Sequence, residues 1–341
     1  MKSLFIVPLV TALSLVALVE STEVVASEIT LNYAFFAPNG TFPAQQMNYW
    51  AKELESRTEG AVEVNTFPGG TLLGARDMYN GVTQGIVDIG LGSPSGDPGR
   101  FPVSSVMTLP LGIPNAKVAS LAYDELMRDL QPEEMSKFKV LAFFTSEPVY
   151  IQTRQAAGNL DDFKSIKLGG AGSFMPAVSS LGASPVAMLM PSVTEALPTG
   201  VIDGVVTSRE VLKDFKLAEY IDYVVDYPLG VVTFAAVMTK EKWESLPREV
   251  QEVMEELAAE MPLWIGRYHD GAVKSALEWS QEKHGLAIAE LEEKERVVWG
   301  ERLKHLVENW RSEMMSKGLP ASDILSKVES IIEKHLESDL N

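Results

Sequence analysis

Residues 197–208 read LPTGVIDGVVTS, and residues 82–93 read VTQGIVDIGLGS. Each stretch leaves a helical segment through a glycine, Gly200 or Gly85, takes two β-branched residues and an aspartate, Asp203 or Asp88, and enters an apolar strand. A glycine that turns left-handed is the common way to stop a helix, and the short apolar run after it reads as a buried strand. The aspartates are the anomaly, because a strand covered on both faces normally reads as apolar throughout. An Asp at a strand end usually accepts backbone N–H bonds from the next turn, so both are expected to be structural fasteners that fix the loops beyond.

The surroundings of the two corners match as well. Before Asp88, EITLNYAFF, AQQMNYWAKELESRTEG, AVEVNTFPGG and GARDMYNGVTQG predict strand, helix, strand, helix. Before Asp203, a second run starts near KVLAFFTS and VYIQTR and continues through SIKLGG, SFMPAVSSLGA, PVAML and SVTEALPTG. Such alternation favours parallel sheets covered by helices, and the shared corner predicts two similarly built α/β lobes whose sheets face each other. The segment LPREVQEVMEELAAEMPLWIGRYHDGAVKSALEWSQEKHG is helical over most of its length. Roughly 40 residues at 1.5 Å each reach ~60 Å, more than one lobe needs, so this helix is expected to lie across both, with a kink at Pro262. The division expected is 27–148 with 229–265 for the first lobe, 149–228 with 266–315 for the second, and 316–341 as a C-terminal helix.

With 341 residues and a hydrophobic fraction of 46%, the chain can bury two proper cores. A net charge of −18 repels a phosphate backbone and sets nucleic acid aside as a partner. The absence of cysteine removes disulfides, thiolate catalysis and Cys-based metal sites. Histidines 269, 284, 305 and 335 fall in the helical C-terminal third without His-x-x-x-His spacing, and are expected to be solvated residues on helix surfaces rather than metal ligands. Residues 1–26 combine Lys2, the apolar run LFIVPLVTALSLVALV and a small-residue site ending at Ala26, the pattern of a cleaved secretory signal that sends the chain to the periplasm. No nucleophile elbow, phosphate-binding loop, zinc-protease or calcium-loop motif is present, so neither catalysis nor a cofactor is expected. What remains is the crevice at the carboxyl ends of the strands, where open parallel sheets bind ligands and helix N-termini favour an anion. GGAGS at 169–173 fits there either as a cradle of backbone N–H groups or simply as a tight turn.

In order along the chain, LESRTEGAVEVNTFPGGTLLGARDMYNGVTQGIVDIG, PGRFPVSSVMTLP, LGASPVAM, EALPTGVIDG, and FKLAEYIDYVV followed by MTKEKWESLP resemble the extracytoplasmic solute receptors of tripartite ATP-independent periplasmic (TRAP) transporters. The resemblance covers about residue 29 to past 290. It implies a two-lobed α/β periplasmic-binding-protein fold with crossing hinge strands and a long helix spanning both lobes. It also implies a ligand buried at the hinge, delivery to membrane permease subunits and no catalysis. A small organic acid is the expected solute and a monomer the expected state. Contacts are expected just past the two corners, from Ser93 and Ser95 in one lobe and from Thr207 to Glu210 in the other. Phe35, Phe36, Tyr150 and Phe174 near predicted strand ends would favour an acid with an apolar body, although aromatics there are as often core. One departure stands out. The family pattern D-L-K-G-L-K-I-R, whose Arg grips a carboxylate in a planar fork, reads here DFKSIKLGG, with Gly169 in the Arg position. Lys167 is the nearest cation but two residues out of register, the turn from Gly170 offers only backbone N–H groups, and Arg209 is either the replacement or a solvated residue on the next helix. Arg154 reads as a surface loop residue. The rivals are a receptor serving an ATP-driven importer and an exported two-lobed enzyme.

Overall fold

The structure, a computed structural model, describes residues 29–340; the predicted signal segment at 1–26 lies outside them. Eleven strands form two sheets. The first contains β1 (Ile29–Phe35), β2 (Val62–Phe67), β3 (Ile89–Gly92), β4 (Phe138–Pro148) and β10 (Val231–Thr239), in the order β2-β1-β3-β10-β4. The second contains β5 (Tyr150–Thr153), β6 (Lys167–Gly170), β7 (Ser184–Ala187), β8 (Gly204–Thr207), β9 (Tyr223–Val225) and β11 (Ala287–Ala289), in the order β11-β9-β5-β8-β6-β7. The chain changes sheet at Val149, again between Val225 and Val231, and a third time between Thr239 and Ala287. The strands that follow the first two crossings, β5 and β10, run antiparallel to their neighbours in otherwise parallel surroundings. KVLAFFTS therefore belongs to the first sheet, not to the start of the second run. It lies in β4, an edge strand whose pairing with β10 joins residues about ninety positions apart and leaves no local sign in the sequence.

The helices are α1 (Phe42–Arg57), α2 (Met78–Thr83), α3 (Ala116–Leu130), α4 (Met175–Ser180), α5 (Met190–Ala196), α6 (Val211–Asp214), α7 (Lys240–Glu244), α8 (Arg248–His284), α9 (Glu293–Ser316) and α10 (Ala321–Leu340). The brace is α8, whose 37 residues span ~55 Å. It stays helical through Pro262 and packs on α1, α3 and β4 of the first lobe and on α6 of the second. Gly266 lets it approach α3 closely, since a Cβ there would stand 2.6 Å from the Lys117 Cα. A second tie runs through the C-terminus. α9 packs on α4 of the second lobe, Trp310 on α9 donates its indole N–H to Ser105 Oγ of the first, and α10 lies along α3. Among the described residues no helix is long and apolar enough to cross a membrane.

The two corners are equivalent residue by residue. Gly85 and Gly200 both turn left-handed, at φ 70° and 71°. Ile86 and Val201 then point outward, and Val87 and Ile202 are buried. Asp88 donates its N–H to the Asn32 carbonyl at 3.1 Å, and its Oδ2 accepts the Asn32 N–H at 2.8 Å. Asp203 does the same with Lys167, at 2.8 and 2.9 Å. The carboxylates are fasteners, but their donors sit on the neighbouring strand rather than in the next turn. They lie at the amino end of β3 and β8, so they close the start of a parallel ladder and do not fix the loops of the crevice. Because an added Cβ meets nothing at either glycine, Gly85→Ala and Gly200→Ala should each cost about 1–2 kcal/mol from backbone conformation alone. Denaturant unfolding should therefore return the same loss for both, and clearly unequal losses would mean that the corners are not equivalent.

Candidate functional site

The carboxyl ends of the two sheets face each other, and the residues there come from short loops that the strands hold in place. The first lobe contributes Phe36 after β1, Phe67 at the end of β2, Ser93 after β3 and Val232 at the start of β10, all half-buried. The second contributes Ala171 and Ser173 after β6 and Thr207 and Arg209 at the end of β8, also half-buried. The lobes touch where residues 172–174 meet 94–96 and 104–108. Ser173 Oγ is buried without a hydrogen-bond partner.

At the crossing of the chain stands an ion pair. Glu147 is the last residue but one of β4, with its side chain only 2% exposed, and Arg209 follows β8. Glu147 Oε1 accepts the Arg209 backbone N–H at 2.7 Å and Nε–H at 3.0 Å, while Oε2 accepts Nη2–H at 2.6 Å. This is a side-on fork, and it leaves Nη1 without a partner among the described residues. The guanidinium carbon lies 3.9 Å from the centre of the Tyr150 ring. Burial raises the Glu147 carboxyl above its ordinary range, and the Arg209 guanidinium pulls it back down. The pair borders an open hollow of about 420 Å³, between Asn115 on one side and Asp270, Lys274 and Glu278 of α8 on the other.

Beside the pair, Glu210 and His269 are buried together. Ser208 Oγ donates to Glu210 Oε1 at 2.8 Å, whereas Glu210 Oε2 has no partner and lies 3.6 Å from Nε2 of His269. Burial, helped by the negative Glu147 nearby, pushes the Glu210 carboxyl up to about 8. Burial, helped by the positive Arg209, pushes the His269 imidazole down to about 3. The imidazole stacks on Phe42 of α1 with ring centres 3.7 Å apart.

The predicted site residues divide. Phe36, Ser93, Gly170, Thr207 and Arg209 stand at the facing strand ends. Ser95 exchanges hydrogen bonds with Thr233 of β10, its N–H donating to Oγ1 at 2.9 Å and its Oγ accepting the Thr233 N–H at 3.0 Å. Phe35 and Phe174 are core residues, 0% and 1% exposed. Tyr150 is buried under Arg209. Gly169 faces Ile202 and Met188, where a Cβ would come within 2.7 Å of Ile202, so no arginine could occupy that position without displacing the packing. Lys167 is exposed at the amino end of β6, away from the crevice.

Two expectations fail on burial, and of the two readings of Arg209 the solvated helical one is set aside, since the residue sits in the turn before α6 with its side chain 16% exposed. Arg154 is tucked in, its Nη2–H donating to the Leu197 carbonyl and its guanidinium over Tyr220. His269 is fully buried, unlike a surface histidine. Its position was readable, since Leu257, Met261, Ile265 and His269 continue one buried stripe of α8. Glu147 also had a signal, a carboxylate inside the apolar run FFTSEPVY. Among the described residues no three His, Asp or Glu side chains stand together in a way that could hold a metal.

Known proteins share this fold. The family model described as bacterial extracellular solute-binding protein, family 7, matches residues 33–313. The C4-dicarboxylate-binding periplasmic protein DctP of Rhodobacter capsulatus is 24% identical over 309 residues, 86% of this chain and 89% of that one. A TRAP periplasmic solute binding protein from Desulfovibrio salexigens, crystallised in an open complex, is 40% identical with a TM-score of 0.84, over 90% of this chain and 97% of its own. A marine metagenome TRAP solute binding protein specific for aromatic acid ligands, solved with metahydroxyphenylacetate, is 27% identical with a TM-score of 0.85, over 90% and 99%. With one family model covering most of the chain and the two-sheet architecture shared with these structures, the chain belongs to family 7 of the bacterial extracellular solute-binding proteins, as a substrate-binding protein of the TRAP type.

Proposed function

We propose that the protein is a periplasmic receptor that closes around a small organic acid and hands it to the membrane subunits of a TRAP transporter, without chemical turnover and as a monomer. The relative specific for aromatic acids and the C4-dicarboxylate-binding relative both support an acid as solute. Residues 1–26 read as the export signal that would place the receptor in the periplasm. The observation that carries the choice of binding group is the side-on fork of Arg209. Its Nε/Nη2 edge is taken by Glu147, and its Nη1 end is left for a carboxylate at the crossing of the lobes. This replaces the fork that Gly169 cannot supply. Phe36, Phe67 and Val232 offer the apolar surface for the body of the acid.

Closure requires contacts from both lobes that the open state lacks, so solute should lower the radius of gyration in solution scattering. An unchanged radius at saturation would count against it. Native mass spectrometry of the exported protein should first identify a co-purified acid, which then serves as the titrant.

The carboxylate assignment has its own test. Arg209→Ala together with Glu147→Gln removes both charges, leaves no orphaned buried carboxylate, and should weaken the acid by at least about tenfold in calorimetry. Glu147→Gln alone should tighten it, because a like charge roughly 6 Å from the bound carboxylate is worth on the order of 2 kcal/mol at intermediate dielectric. If neither change moves the affinity, the acid is held elsewhere, and equal binding of a neutral analogue would remove the acid from the proposal altogether.

A further inference from the structure

Glu210 Oε2 and both ring nitrogens of His269 are buried polar atoms without partners, and Oε2 and Nε2 face each other across 3.6 Å. Buried polar groups are nearly always satisfied, so the facing pair of Oε2 and Nε2 calls for an explanation. Their location supplies one. Glu210 belongs to the turn of the second lobe that carries Thr207 and Arg209, His269 belongs to the brace, and Phe42, stacked on the imidazole, opens α1 of the first lobe. We propose that Glu210 and His269 form a proton-carrying joint between the lobes, in which the carboxyl proton of Glu210 bridges Oε2 to Nε2 of His269 and holds the turn of Thr207–Arg209 against α8.

Both atoms sit less than an ångström beyond ordinary hydrogen-bond reach, so a small closing movement of the turn makes the bond. The surroundings decide where the proton resides. Glu147 at the end of β4 and Asp214 on α6 oppose a negative charge on Glu210, and Arg209 opposes a positive charge on His269. Asp270, next along α8, is turned away to accept the N–H groups of Ala116 and Lys117 at 2.8 and 3.2 Å. The neutral pair, acid donor and imidazole acceptor, is therefore the favoured state. Loss of the proton leaves a second carboxylate beside Glu147, which the imidazole can meet only by moving its own N–H to Nε2, and the repulsion between the two buried carboxylates loosens the turn. The sign follows from the raised carboxyl: the contribution to the folded state is complete below the ordinary glutamate range and is lost as pH rises through about 8. For solute capture this rests on the reading that Thr207 and Arg209 face the solute; the joint itself does not, and its test needs no solute.

Infrared spectroscopy of the ligand-free full chain should show a protonated carboxylic acid band at about pH 7 that titrates with a midpoint near 8 and is missing in Glu210→Gln. Asp214, raised by burial to about 6, gives a separate band of lower midpoint that Asp214→Asn removes. Hydrogen exchange over residues 205–215, corrected for intrinsic rates, should lose protection at least about fivefold between about pH 7 and 9 in the native protein. In Glu210→Gln protection should hold throughout, because the amide N–H donates to the same imidazole nitrogen. A native protein with no band titrating near 8, or an equal loss of protection in the Gln variant, would overturn the joint. If that variant does not fold, His269→Gln must shift the midpoint of the native band, and an unchanged midpoint is equally decisive against it.

Discussion

The ion pair of Glu147 and Arg209 is the point on which the two halves are registered. Glu147 is the last residue but one of the edge strand of one sheet, three residues before the first strand of the other, and Arg209 follows a strand of that second sheet by two residues. Isolated charges so deeply buried would be strongly disfavoured, and the pair persists because its geometry is nearly saturated: three N–H groups converge on one carboxylate, with Tyr150 beneath the guanidinium. Such an arrangement tolerates little displacement. It fixes how the carboxyl ends of β4 and β8 stand to each other, and through them where the facing loops lie.

Around that point the charges are arranged by burial. Burial raises the Glu147 carboxyl while its arginine pulls it back, burial and the nearby Glu147 push the Glu210 carboxyl up to about 8, and burial, helped by Arg209, pushes the His269 imidazole down to about 3. The middle of the second sheet has no room for a cation where Gly169 packs on Ile202, whereas the turn beside the brace carries one in Arg209.

Much of this was legible in the chain. The repeated corner announced two lobes, and the glycine, the outward residue and the inward residue fall in the same places in both copies. The length of α8 announced a brace. What the sequence hid is non-local. Glu147 and Arg209 are 62 positions apart, and nothing near either names the other. β4 reads like any buried strand, and only its pairing with β10 reveals that it closes the first sheet. Phe35 ends β1 as expected and Phe174 lies in the turn before α4, four residues past β6; both face the core, and nothing in their neighbours says whether an aromatic there faces a cleft or a core. His269 was hidden by residue type, since histidine is read as polar even on a stripe that its neighbours define as buried.

The threading of the chain through both sheets governs the order in which the molecule can be completed. β10 enters between β3 and β4, so the first sheet has a gap until Thr239 has been made, and the second lacks its outer strand until Ala289. α3 stays uncovered along the face that α10 later occupies, which waits for the last twenty residues. Neither lobe is therefore a segment that can fold by itself during synthesis. The contacts that finish the first half join α3 to the far end of the polypeptide, a topology of high contact order in which assembly is slow and late. Such a chain stays unfinished until nearly all of it has emerged.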